Sequence, residues 1–252
     1  MLQQNKCAKS PVLMIKICMI AIFVYWINTV HAQVPVHIKF YHSVNEKALL
    51  PDSVYEIAQA QYHIKRLRYY ISNPTLLSLS TSARTAKPEV FLIDAFEADT
   101  VFIDMPAGTY NAISFLLGTD SLQNMSGATE GALDPLNNMY WTWNTGFINV
   151  KMEGEITRAG KAMERMQYHI GGFAGTYKTM RQLTIPFGKA IIIKEGTPLH
   201  IQLLVDISRF LKGVDAIDNS ASPLIMMPGK QAASAADLLV TMFSLQNVNV
   251  NF

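Results

Sequence analysis

Val36-His37-Ile38-Lys39-Phe40-Tyr41 alternates apolar and polar side chains without a break. Successive side chains of an extended chain point to opposite sides, so Val36, Ile38 and Phe40 share one face and His37, Lys39 and Tyr41 the other. A helix would scatter the same apolar residues around its circumference, so the segment reads as a half-buried strand. Similar β-like runs recur downstream, at 89–96, 100–104, 167–171, 182–187, 190–194 and 199–207. His200 falls on the polar face of the last of these, as His37 does in the first. Pro106-Ala107-Gly108-Thr109-Tyr110 is a turn feeding a strand over 111–117, and Gly188-Lys189 between two apolar runs predicts a tight hairpin. Tyr62 and Ile64 share one parity and Leu67 and Tyr69 the other, which predicts a bulge or a short helical turn near Arg66.

Only residues 232–243 have a helical composition, rich in Ala and Leu with no turn residue. Two connections, 118–138 and 213–229, are long for a compact domain, and loops of that length are often functional. No internal repeat interrupts the pattern. The reading is an all-β chain: a β-sandwich or partly open Greek-key barrel, with long loops and a short C-terminal helix.

The first residues follow a different logic. Lys6, Lys9 and Lys16 lead into an apolar run from 17 to 27, and Val30-His31-Ala32 supplies a small-residue cleavage site before Gln33. The run is too short for a comfortable membrane span. Residues 1–32 are therefore expected to be a signal peptide and 33–252 a single β domain in the periplasm, on the cell surface or secreted, with an uncleaved anchor as the alternative. Cys7 and Cys18 both lie in the leader, and Lys16 spoils the apolar context that a lipid-anchored Cys18 would need. The mature chain then has no thiol, which excludes disulfides, thiolate metal sites and Cys nucleophiles. Of 21 basic residues the leader removes three, leaving 18 against 19 acidic ones and a net charge of −1. No basic patch interleaved with aromatics appears, so nucleic acid is not an expected partner.

No hydrolase elbow, phosphate loop, zinc-protease helix or dinucleotide fingerprint occurs, and no catalytic role is expected. Asp120, Asn124 and Asp134 are oxygen donors of the kind calcium takes, although their spacing is not that of an EF-hand and both residue types favour turns. Met163, Met166, Met226 and Met227 could offer thioethers to copper, yet Met is also the usual filler of core gaps. His42 and His63 lie near strand ends. His169 stands between Tyr168 and Ile170-Gly171-Gly172, where glycines allow close backbone approach.

Met139-Tyr140-Trp141-Thr142-Trp143-Asn144-Thr145-Gly146-Phe147 carries two of the three tryptophans of the chain. On a strand, Trp141 and Trp143 would project to one side and either nucleate a core or line a shared site over the sheet that holds His169.

Several segments taken together resemble the MbnP-like copper-binding proteins, methanobactin-associated periplasmic proteins, and particularly their relatives in Bacteroidetes. They are Leu67-Arg68-Tyr69-Tyr70-Ile71-Ser72-Asn73; Pro106-Ala107-Gly108-Thr109-Tyr110 with Ile113-Ser114-Phe115-Leu116-Leu117-Gly118; Leu133-Asp134-Pro135-Leu136-Asn137-Asn138 running into the tryptophan stretch; Lys151-Met152-Glu153-Gly154; and Tyr168-His169-Ile170-Gly171-Gly172. The resemblance implies an exported, mostly β protein with a mononuclear copper site near the paired tryptophans and a histidine. By position, Trp141 is the candidate for oxidation to kynurenine, with Trp143 beside it, and His169 is the candidate imidazole ligand. A tryptophan-modifying haem enzyme in the periplasm is the partner such chemistry implies. Some copper-binding relatives place a histidine where this chain has Trp143, which leaves His42, His63 or a methionine as further candidates. The alternative reading is a metal-free periplasmic or surface binding module of the same fold.

Overall fold

The computed structural model describes residues 33–78, 82–84, 89–217 and 222–250. By internal contacts the chain divides into Met1–Ala32 and Gln33–Phe252, and every described residue belongs to the second unit. The expected signal peptide and its cleavage site after Ala32 therefore lie outside the described residues.

In chain order the strands begin with β1 (Gln33–Val44), β2 (Lys47–Ala48), β3 (Val54–Ile57), β4 (Ala60–Leu77) and β5 (Ser82–Arg84). They continue with β6 (Val90–Asp94), β7 (Thr100–Pro106), β8 (Gly108–Leu117), β9 (Tyr140–Thr142) and β10 (Gly146–Arg158). The last five are β11 (Glu164–Gly171), β12 (Arg181–Ile193), β13 (Leu199–Asp206), β14 (Leu224–Ile225) and β15 (Phe243–Val250). Among the described residues three α-helices accompany them: α1 (Ser121–Ser126), α2 (Ile207–Ile217) and α3 (Lys230–Leu239).

Two sheets pack face to face, which makes the fold an all-β sandwich. The smaller sheet runs β15-β13-β1, with β2 and β7 also paired to β1, and its β1–β13 contact is parallel. The larger runs β12-β8-β4-β10-β11-β14, with β3, β5 and β6 joined to β4 and β9 to β10. Strand β1 alternates as its sequence predicts: Val34, Val36, Ile38 and Phe40 are buried. Across the interface Phe40 meets Tyr69 and Phe115 edge to face at centroid distances of 5.9 and 6.3 Å, and Phe243 closes on both. Such contacts add specificity to the non-directional burial of apolar area.

The parity change in β4 is a bulge. Gly154 of β10 pairs with Ile64 and Glu153 with Arg66, so Lys65 is the extra residue. Ile64, Leu67, Tyr69 and Ile71 thereby all reach the core, whereas Arg66, Arg68 and Tyr70 face outward. The outward face of the larger sheet carries its own small core of Tyr70, Met139, Phe147 and Ile148, against which Trp141 packs. Residues 118–138 cover that face. They form α1, with the Asp120 side chain accepting from the Gln123 N–H and Gln123 reaching back to the Asp120 N–H, and two 3₁₀ turns.

Four local expectations are corrected. Gly188-Lys189 makes no hairpin; it lies within one strand, β12, at an irregularity where the register against β8 jumps from Pro186 to Ile191, and Gly188 takes the positive φ this needs. Residues 207–217 are helix α2, started by the Asp206 carboxylate accepting from the Ser208 N–H, with Phe210 and Leu211 buried. The chain beyond α3 returns as β15 rather than continuing the helix to 243. The tryptophan strand is shorter than its alternation suggests, with consequences described below. Among the described residues no helix is long and apolar enough to cross a membrane.

Candidate metal centre

Register on the larger sheet decides which polar side chains meet. Lys151 of β10 lies between Arg68 of β4 and His169 of β11, and one row along Glu153 lies between Arg66 and Gln167. All of these point outward, and all but Gln167 are knitted together. His169 Nε2 is 2.8 Å from Glu153 Oε1, Arg66 Nη1 donates to Glu153 Oε2 at 3.1 Å, and the Lys151 ammonium is 3.5 Å from Oε1. Lys151 also donates to the Asn138 carbonyl at 3.0 Å, and Arg68 donates to Asp94 at 2.6 Å and to the Asn137 carbonyl at 3.2 Å. The two cations thus hold the 131–138 segment over the sheet.

Protonation states follow from these contacts. Burial alone would raise the Glu153 carboxyl pKa, but the hydrogen bond with His169 and the charges of Lys151 and Arg66 outweigh it and hold the pKa below the ordinary value. Burial lowers that of His169, helped by Lys151 and Arg66 and opposed by Glu153. At neutral pH the pair is therefore a neutral imidazole donating Nε2–H to an ionised carboxylate. Nδ1 then carries the free lone pair, and it makes no hydrogen bond among the described residues.

Trp141 reaches the same neighbourhood. A Cβ placed on Gly171 would meet the Trp141 ring at 2.6 Å, so the indole occupies the space that a side chain at 171 would fill. Gly171 and His169 share a face, two residues apart on β11, which sets them about 7 Å apart along the strand. Trp143 does not share the site. Strand β9 ends at Thr142, and Trp143 stands in the following turn, 83% exposed. The hydroxyls of Thr142 and Thr145 lie 2.8 Å apart, Thr142 also donates to Asn144, and Gly146 reverses the chain at φ +77°. Those turn residues override the alternation of Trp141 and Trp143.

The further histidines lie apart. His42 faces the sandwich interior, where its Nε2 and the Tyr69 hydroxyl share a hydrogen bond at 2.9 Å. His63 is on the outward face opposite Glu155, whereas His169 is opposite Lys151. Those positions are four residues apart on β10, about 13 Å. Its Nδ1 is 3.4 Å from Glu155. Among the described residues no group of three or more His, Cys, Asp or Glu side chains is placed to hold a metal ion. The oxygens considered for calcium are engaged with the backbone instead: Asp120 and Asp134 accept from the N–H groups of Gln123 and Leu136, and Asn124 accepts from Phe147. Glu153 and Lys151 are the residues that the sequence reading passed over. Their signal was the alternation of Lys151, Glu153 and Glu155 with Val150, Met152 and Gly154, which puts three charges in one line.

A family model described as MbnP matches residues 33–227. Among solved structures, MbnP from Methylosinus trichosporium is similar over 71% of this chain and 78% of its own, with a TM-score of 0.51 at 14% identity. At that identity the likeness is one of fold. No curated protein matches the chain.

Proposed function

The chain belongs to the MbnP family, and on that premise we propose that it is an exported, non-catalytic copper-binding protein that holds a single copper ion at His169 beside Trp141. The observation that carries this reading is the His169 Nε2–Glu153 hydrogen bond. Imidazoles that bind metals almost always donate their second ring N–H to a carboxylate or carbonyl, which fixes tautomer and ring orientation. His169 has that support and keeps Nδ1 as the donor atom.

Trp141 would contribute only after oxidation, because an intact indole offers an N–H and no in-plane lone pair. Insertion of dioxygen across the C2–C3 bond, then hydrolysis that releases C2 as formate, gives kynurenine with an aryl amine. Imidazole and aryl-amine nitrogens are borderline donors suited to copper. The ring is already laid against Gly171, so the modified group would need no new path to the sheet. Export rests on residues 1–32 acting as a leader.

Copper content and intact mass of the protein from its native host test the proposal. The expected result is one copper per chain, a mass change at a single tryptophan, and loss of the metal in His169→Ala with thermal unfolding little altered. Unmodified tryptophan together with no copper would overturn it. The fold would then serve as a metal-free binding module.

A further inference from the structure

On the outward face of the smaller sheet, far along the chain from the residues just described, two imidazoles stand side by side. His37 of β1 and His200 of β13 are exact register partners in the parallel pair, and their ring centroids are 4.7 Å apart with the planes at 89°. Phe102, the register partner of His37 on β7, packs edge-on against His37 at 4.9 Å and hems it in toward His200. Both histidines are half-buried. Neither forms a hydrogen bond or ion pair among the described residues, so all four ring nitrogens are uncommitted.

We infer that His37 and His200 form a two-imidazole clasp for a divalent transition metal, copper(II) ahead of nickel and zinc. A metal about 2.0–2.1 Å from an imidazole nitrogen lies about 3 Å from the ring centre. Two rings bound at a right angle about one ion then have centres about 4.5 Å apart, and the pair here stands at 4.7 Å. The χ2 torsion of histidine is broad, so a modest ring rotation turns one nitrogen from each toward a common point without moving the backbone. The strands supply the preorganisation, since direct partners in a sheet are held at fixed separation on both sides by β7 and β15. Lys39, two residues along β1 on the same face, is drawn 3.7 Å from Asp99 and lies over the Tyr41 ring. Imidazole nitrogen suits these ions, and copper(II) leads the order of affinities. Water fills the remaining positions, which leaves the ion exchangeable rather than entombed.

The clasp uses neither His169 nor Trp141, so it stands or falls independently of the copper centre proposed above. Its test is copper(II) titration of the full chain without a histidine tag, made in a host that leaves tryptophan intact, followed by calorimetry and by the nitrogen couplings of the copper EPR spectrum. The expected result is one copper(II) with two imidazole nitrogens. His37→Gln and His200→Gln should each weaken binding tenfold or more and leave one nitrogen coupling, while His169→Ala binds as the parent does. Copper should also raise the Tm of the parent but not of His200→Gln. Parent-like affinity in both glutamine variants, or an equal loss in His169→Ala, would overturn the assignment.

Discussion

The carboxylate of Glu153 does three things at once: it accepts from His169, pairs with Arg66 and faces the Lys151 ammonium. Replacing it by the neutral isostere separates these roles. In Glu153→Gln the side-chain amide can donate to His169 Nε2 and reverse the tautomer, so that Nδ1 carries the proton and loses its lone pair. Copper affinity of native-host protein is expected to fall about 10–100-fold, the usual effect of losing an outer-shell partner, and metal titration against His169→Ala measures it. Gly171→Ala probes the other half of the site. The new Cβ would sit 2.6 Å from both the Trp141 ring and the Phe147 carbonyl oxygen, and only the ring can move. The expected cost is about 1–3 kcal/mol, with Trp141 fluorescence shifting toward that of exposed indole in denaturant titrations of unmodified protein. His169 was singled out in the sequence by resemblance and by its glycine neighbours, whereas Glu153 required knowing which strand lies beside β11.

Strands are legible where a single period persists and illegible where turn chemistry competes with it. β1 keeps one period throughout, and even the bulge in β4 announces itself as a change of parity between Ile64 and Leu67. That bulge brings the His63 carbonyl so close to β10 that only glycine fits opposite: a Cβ on Gly154 would lie 2.0 Å from the His63 oxygen. A backbone atom cannot swing aside, so Gly154→Ala should destabilise the domain by about 2–4 kcal/mol, read as a lowered denaturant midpoint. A midpoint within experimental error of the parent would show that the bulge can relax. The tryptophan stretch failed for the opposite reason. Its alternation is real in the sequence, but Asn144-Thr145-Gly146 converts the second half into a turn, and local hydrogen bonds decide the matter before packing does. Helix α2 was hidden because it begins inside an apolar run that reads equally well as strand.

Two sheets and an apolar interior make the sandwich, and a buried side-chain contact crosses it: His42 of the smaller sheet meets the Tyr69 hydroxyl of the larger. No sequence pattern marked that contact, since it joins chain positions whose pairing exists only once both sheets are stacked. Burial lowers the His42 pKa from 6.5 to about 4, against the opposing pull of Asp99 and Asp94. Because the folded pKa lies below the unfolded one, the unfolded chain binds the extra proton between these values. Stability is therefore full above about pH 6.5, declines as the pH falls toward 4, and loses nothing more from this group below that. The shift corresponds to about 3 kcal/mol, enough to dominate acid unfolding of a domain whose total stability is of order 5–15 kcal/mol. His169 contributes in the same direction, so the wild-type slope alone would not identify the source. His42→Gln keeps a hydrogen-bonding partner for Tyr69 but cannot titrate, and its unfolding free energy should be flatter by about that amount between pH 6.5 and 4. A variant that retains the full wild-type slope would place the acid sensitivity elsewhere on the molecule.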